Sequence, residues 1–232
     1  MSSGLSGVYW YARAVGFPTV VRVWKAAPEG EPERLVALAD GVFAIAVTLL
    51  VLDLSVPPGL DDEQYRDALR DVLPNLGAYA LSFFVLAQFW RDHRRIFRRV
   101  RHVDSQIVRL SLLGMGVAAL LPFPTALISE YPQEAVSVVV YSAAVTALGA
   151  THLALAVLLN RRPWLRDAPA GDPDLLLSAA DLIATVGVFA VTIPLAQVLE
   201  GAAVWWWVAL FPAKAIFGRR ARRRIARARP AE

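Results

Sequence analysis

Long apolar blocks separated by short charged gaps are the feature that most restricts how this chain can fold. A bilayer core about 30 Å thick requires about 20 apolar residues per helix. That length finds six candidate spans: Leu35–Leu52, Pro74–Trp90, Ile107–Ile128, Ala135–Leu159, Leu175–Leu199 and Ala202–Phe217. Transmembrane β-strands would instead alternate apolar and polar residues over short segments. We therefore predict an all-α integral membrane protein with six transmembrane helices per subunit.

The positive charges collect in one set of gaps, and this predicts the orientation. The chain has 24 lysines and arginines, and all of them except Arg66 and Arg70 lie on the side of the spans that holds the N-terminus. The loops on the opposite side are acidic. Because cytoplasmic loops carry the excess of Lys and Arg, both termini are expected to be cytoplasmic, which requires an even number of spans. The expected location is the plasma (inner) membrane.

Three regions follow from these patterns. Residues 1–33 form a cytoplasmic N-terminal segment, 34–218 the six-span transmembrane domain, and 219–232 a basic cytoplasmic tail. An arginine-rich tail beside a span is expected to bind anionic lipids at the cytoplasmic face, and not nucleic acid. The N-terminal segment lacks the features of a secretory signal, so no removable peptide is predicted.

Enzyme and metal motifs are absent from the sequence. It contains no HExxH, GxSxG or GxxxxGK[ST] pattern and no cysteine, and its three histidines, His93, His102 and His152, do not have metal-ligand spacing. We therefore expect no enzymatic activity, no metal site and no cofactor.

The first span carries a stripe on one helical face. Leu38, Gly41, Ile45, Thr48, Leu49 and Leu52 follow the helical repeat. Ordinary helix packing would explain the stripe, with Thr48 donating to its own carbonyl at i−4. A pore lining would explain it equally, if the helix repeats around a symmetry axis. Rings of Ile45, Leu49 and Leu52 could then gate by dewetting, while Thr48 hydroxyls bind a partly dehydrated cation.

Two segments resemble a known family. The segment RLVALADGVFAIAVTLLVLD, 34–53, is similar to the R-x-x-x-F-S-D signature of the transmembrane protein 175 family of lysosomal and prokaryotic potassium channels, with Arg34 and Asp40 matching. Leu38 and Ala39 stand where the family has Phe and Ser. The segment FFVLAQFWRDHRRIF, 83–97, resembles the family's W-x-x-H-H-x-x-F. There Trp90, His93 and Phe97 match, and Arg94 replaces the second histidine.

This resemblance implies a homotetramer of six-span subunits whose first helices line a central potassium pore without a TVGYG filter. It implies that Ile45 forms the narrowest ring, that Thr48 contributes to potassium selectivity, and that Leu49 and Leu52 form further apolar rings. It also implies a polar network at the cytoplasmic helix ends. The members of that network are Arg34, Asp40, Trp90 and His93.

The remaining polar residues of the spans leave alternatives open. Asp40 is about 140° around the helix from Ile45, so it should face neighbouring helices, where His93, Trp90 or an arginine after the second span could pair with it. Asp181 and His152 would serve either a proton relay or interhelical hydrogen bonds. Asp53 ends the first span, where it is either solvated or part of an outer ring of carboxylates that attracts cations.

The function that we predict is a potassium-selective channel that passes ions down their electrochemical gradient, with potassium as its permeant ion. A proton-coupled or proton-leak transporter that uses Asp40 and Asp181 is one alternative. A non-conducting membrane scaffold with a basic lipid-binding face is another.

Overall fold

The computed structural model describes residues 32–167 and 173–209, together with the single positions Lys214, Ile216 and Arg219. Its helices, in chain order, are α1 Pro32–Leu50, α2 Asp62–Phe97, α3 Ser105–Leu120, α4 Pro122–Glu130, α5 Ala135–Arg161 and α6 Pro173–Leu199. Short 3₁₀ turns at Val51–Asp53 and Pro163–Leu165 and a longer 3₁₀ segment at Glu200–Ala209 complete this part. Most of the predicted segments 1–33 and 219–232 lie outside the described residues.

Helix α2 is longer than the predicted second span. It has 36 residues and begins at Asp62, not at Pro74. Asp61 caps it, accepting hydrogen bonds from the backbone N–H groups of Glu63 and Gln64. At 1.5 Å per residue the helix is about 54 Å long, well beyond a core of about 30 Å. Its polar first turns escaped the prediction because hydropathy detects only the part that can lie in lipid.

The predicted third span consists of two helices. Helices α3 and α4 meet at Leu121, directly before Pro122, which has no N–H with which to continue the helical ladder. Leu121 itself keeps right-handed helical angles, with φ −60° and ψ −30°. The 26 residues of Ser105–Glu130 therefore form one apolar rod with a break at the start of its C-terminal third.

The chain reverses direction after α6. Glu200 has a positive φ of 49°, and the following Gly201 packs so closely on the loop before α5 that a Cβ would lie 2.5 Å from the carbonyl oxygen of Pro132. Beyond this turn, Trp207 donates a hydrogen bond of 3.2 Å to Thr192 of α6. Lys214 then pairs with Asp181, farther back along the same helix. The segment after Glu200 thus runs back along α6.

Within the described residues, four stretches are long and apolar enough to cross a membrane: Asp62–Phe97, Ser105–Glu130, Ala135–Arg161 and Leu177–Trp207. This part of the chain contains no β-strand, only a single bridge between Val100 and Arg166 that joins two loops. The helices enclose one apolar core, in which Phe89, Tyr141 and Phe189 are the largest fully buried side chains. The protein is an all-helical, multi-pass membrane protein.

Candidate pore-lining helix and its polar contacts

Helix α1 has one buried face and one exposed face. Its buried face, at most 3% exposed, packs against the core and consists of Ala39, Phe43, Ala46 and Leu50. The predicted stripe lies on the other side: Leu38 is 48% exposed, Ile45 61%, Leu49 40% and Leu52 69%. A helix whose two faces are both apolar, only one of which its own subunit covers, presents the second to lipid or to another protein surface.

Thr48 belongs to this exposed face. Its hydroxyl donates a hydrogen bond of 2.8 Å to the carbonyl oxygen of Ile45, at i−3 and not at the expected i−4. Because this bond uses the hydroxyl proton, the oxygen lone pairs are free to accept or to coordinate. Thr48 therefore makes a local hydrogen bond within α1 and still has an oxygen that can accept a hydrogen bond or coordinate a cation.

Small residues lie on and beside the stripe. Ala37, Gly41 and Ala44 are exposed and follow one another at helical spacing. A Cβ added at Gly41 would meet nothing within 4 Å in the subunit. This flank of α1 is shallow enough for another helix to approach closely.

Asp40 pairs with the end of α2. The indole Nε1 of Trp90 donates a hydrogen bond of 2.7 Å to Oδ1 of Asp40, and Nη1 of Arg94 lies 2.9 Å from Oδ2. The Arg94 guanidinium also stacks over the Trp90 ring, 5.5 Å from its centroid. Both carboxylate oxygens of Asp40 are thereby engaged by one neighbouring helix. Three kinds of partner were expected for Asp40, namely His93, Trp90 or an arginine after the second span. The structure places two of them against Asp40, Trp90 and Arg94.

His93 lies three residues after Trp90 on α2, but no hydrogen bond joins it to Asp40 among the described residues. It is 2% exposed, stacks on Phe97 at 4.4 Å between ring centroids, and meets the edge of His152 at 5.6 Å. Nε2 of each histidine has no hydrogen-bond partner among the described residues. Nδ1 of His152 bonds to the carbonyl of Leu148 within its own helix. His93 thus packs against two helices, with His152 of α5 on one side and Phe43 of α1, 6.4 Å away between ring centroids, on the other.

Two further predicted residues are not assembled with this pair. Arg34 is exposed on the first turn of α1 and forms no ion pair within the described part of the chain. Asp53 ends the 3₁₀ turn that follows α1. Its role in an outer ring of carboxylates stays a prediction.

Sequence reasoning missed a second polar network on the other side of α2. Nε2 of Gln88 donates to Oδ2 of Asp92 and to Oδ2 of Asp181, at 3.0 Å each. Nζ of Lys214 lies 2.9 Å from the same Asp181 oxygen. The available signal was Lys214, a cation inside a predicted span, since such a group needs a partner. Asp181 was expected to serve either a proton relay or an interhelical hydrogen bond. The structure contains an interhelical hydrogen bond, from Gln88 of α2.

Among the residues that the structure describes, no three His, Asp or Glu side chains are arranged to hold a metal ion. The polar contacts of α1 and α2 are hydrogen bonds and ion pairs between protein groups.

Comparison with known proteins decides the family. The model of the endosomal/lysosomal potassium channel TMEM175 matches residues 34–122, from the start of α1 into α4. A potassium channel of Streptomyces collinus is 36% identical over 182 residues, which cover 74% of this chain and 88% of that protein. The chain belongs to the TMEM175 family. This is a family of ion channels and not of enzymes.

Solved and animal members of the TMEM175 family resemble the chain to different extents. The crystal structure of a lysosomal potassium-selective channel TMEM175 homolog from Chamaesiphon minutus superposes with a TM-score of 0.66 at 26% identity, covering 82% of this chain and 97% of that one. The endosomal/lysosomal proton channel TMEM175 of Danio rerio is 22% identical, over 57% of this chain and 26% of its own length. Relatives thus carry the name of either a potassium or a proton channel.

Proposed function

We propose that this protein is a potassium channel in which copies of α1 from a homotetramer line a central pore. The observation that carries the proposal is the exposed stripe of α1 and the 3₁₀ turn that follows it. Ile45 is 61% exposed and Leu52, in the turn, 69%, while the subunit core covers the opposite face of α1. Because one α1 cannot enclose a path, the pore requires several copies around an axis. Potassium would move down its electrochemical gradient and needs no cofactor.

In such a ring the stripe supplies both a barrier and an ion contact. Ile45, Leu49 and Leu52 form successive apolar rings that exclude water when narrow and conduct when the helices splay or rotate. Thr48 adds a ring of hydroxyl oxygens less than one helical turn from Ile45. Because its proton is used within the helix, the Thr48 oxygen is oriented to replace water around a dehydrating cation.

The contact of Asp40 with α2 anchors the cytoplasmic end of α1. A carboxylate with two donors from a single helix is engaged away from the pore axis, which supports a structural or gating role and not direct ion binding.

The chain reversal at Glu200 supports six spans, which are α1, α2, α3 with α4, α5, α6 and the segment after Glu200. We place both termini in the cytoplasm of an inner membrane, with the transmembrane channel domain at 34–218. The lysines and arginines that we place at the cytoplasmic face and the tail, 219–232, would bind anionic lipids.

A proton-coupled transporter that uses Asp40 and Asp181 is the second candidate. It is considered because the animal relatives are named proton channels. Against it, Asp40 pairs with Arg94 and Asp181 with Lys214, so neither carboxylate is free to relay a proton without first losing a cation. A non-conducting scaffold is the third candidate.

Flux into liposomes tests the proposal. The purified protein is expected to pass potassium in preference to sodium, with Ile45→Asn raising the flux and Thr48→Ala lowering the preference. Ile183→Asn is a matched control, because Ile183 is an exposed isoleucine of α6, 44% accessible, outside the stripe. If Ile45→Asn and Ile183→Asn changed the potassium flux equally, α1 would not be the pore-lining helix. Absence of flux in the native protein would reject the channel.

A further inference from the structure

Two carboxylates from different helices meet inside the subunit. One amide group, Nε2 of Gln88, lies 3.0 Å from an oxygen of Asp92 on α2 and 3.0 Å from an oxygen of Asp181 on α6. The other end of that amide accepts a hydrogen bond of 2.9 Å from Arg91. Gln88 is therefore fully used, and a single donor group serves both carboxylates.

The two carboxylates differ in their surroundings. The Asp92 side chain is 1% exposed, its Oδ1 has no hydrogen bond among the described residues, and its cation, Arg95, is 3.6 Å away. Asp181 is 26% exposed and has Lys214 at 2.9 Å. Close carboxylates repel each other when both are ionised, and burial further disfavours the charge on Asp92. Protonation of one of the two carboxylates relieves this repulsion, and Asp181 and Lys214, 26% and 27% exposed, form the more accessible side of the pair.

The pair lies behind the Asp40 contact on the same two turns of α2. At 100° per residue, Asp92 is about 200° from Trp90, so Trp90 and Arg94 face α1 while Gln88 and Asp92 face α6. A change in the packing of α2 against α6 would therefore move the groups that hold Asp40.

We propose that Asp92 and Asp181 form a proton-binding site within each subunit, and that its occupancy adjusts α2 and so the potassium flux. The regulatory part rests on the proposed channel function. The charged groups that face the pair are Arg91 and Arg95 of α2 and Lys214 of the returning segment, while His93 faces α5. With both acids ionised, Arg95 and Lys214 balance them. With one proton taken from water, the positive charge of the cluster rises by one and Arg95 loses its ionised partner.

Infrared difference spectroscopy tests the site without reference to flux. Titration of the purified native protein between about pH 5.5 and 8, above the range in which exposed carboxyls take up protons, is expected to show a protonated carboxyl band that is absent from Asp92→Asn. Lys214→Met is expected to move the titration to higher pH, because the carboxylates lose a cation, while Lys214→Arg leaves it in place. Asp67→Asn is the control, since that carboxylate is 62% exposed on the outer turns of α2. Identical titrations of the native protein and Asp92→Asn would overturn the site.

Potassium flux into liposomes at varied pH tests the regulation. We expect a pH dependence in the native protein that is lost in Asp92→Asn and Asp181→Asn and kept in Asp67→Asn. An unchanged pH profile in both pair variants would overturn the regulation, even where the infrared band confirms the site. If the native protein passes no potassium, the channel proposal fails, and the infrared titration alone decides whether the proton site exists.

Discussion

The indole nitrogen of Trp90 donates a hydrogen bond of 2.7 Å to Asp40, which joins two helices at positions 50 residues apart in the chain. Arg94, one turn farther along α2, binds the other carboxylate oxygen of Asp40 at 2.9 Å. The bond to Trp90 fixes where the carboxylate lies, and the guanidinium neutralises its charge. Together they hold the first turns of α1 against the end of α2.

Removal of the indole donor tests the first of these contacts. Trp90→Phe keeps an aromatic ring and loses the N–H, so we expect a loss of about 1 kcal/mol, since the bond is charge-assisted and Asp40 is partly exposed. Thermal unfolding of the detergent-purified protein measures it. Trp164→Phe is the control, because Trp164 is 65% exposed on a loop. An equal decrease in both variants would contradict a specific role of the Trp90 bond.

Replacement of Arg94 should make the contact depend on pH. In Arg94→His the imidazolium can pair with Asp40 at acidic pH, whereas the neutral ring cannot. The stability from this pair is therefore present at low pH and is lost as the pH rises above about 7. Thermal unfolding across this range should separate Arg94→His from the native protein and from Arg94→Lys, which keeps its charge. Parallel pH profiles for all three would show that the Asp40 pair contributes nothing measurable.

Gly41 tests whether a second subunit approaches α1. Gly41→Leu meets open space within the subunit and should leave helix content intact, but we expect it to disrupt the oligomer. Native mass or cross-linking gives the subunit number, and circular dichroism gives the helix content. Gly116→Leu is the matched control, an exposed glycine of α3 that also meets nothing within 4 Å. A normal oligomer in Gly41→Leu would place lipid at this flank of α1.

Gly149 tests the packing of α5 on α6. A Cβ there would lie 2.6 Å from Cγ2 of Val186, a distance that forces the helices or the valine to shift. We expect Gly149→Ala to destabilise the fold by about 1–3 kcal/mol, despite the better helix propensity of alanine. Thermal unfolding is the measurement, with Gly116→Ala as the variant that should gain stability slightly. A gain in both would mean that the contact relaxes without cost.

Membrane insertion and the family could be predicted from the sequence because both depend on local patterns. Apolar runs of bilayer length indicate spans wherever they lie in the fold, and the fourth predicted span, Ala135–Leu159, agrees with α5 within two residues. The motif residues Arg34, Asp40 and Trp90 identify the family by spacing alone. The outer turns of α2 were missed, since a polar amphipathic extension carries no hydropathy signal.

The partners of the polar groups required the tertiary structure. Asp40, Asp92 and Asp181 each need a donor, but helical spacing cannot say which of several arginines, lysines or amides will be within 3 Å once the helices pack. That choice depends on helix rotation and on the reversal at Glu200, which brings Lys214 back to Asp181. The sequence by itself determined the apolar helices of membrane length and the family. Only the tertiary structure decided that α2 holds Asp40 on one face and a pair of carboxylates on the other, because contacts between helices depend on side chains that are distant in the chain.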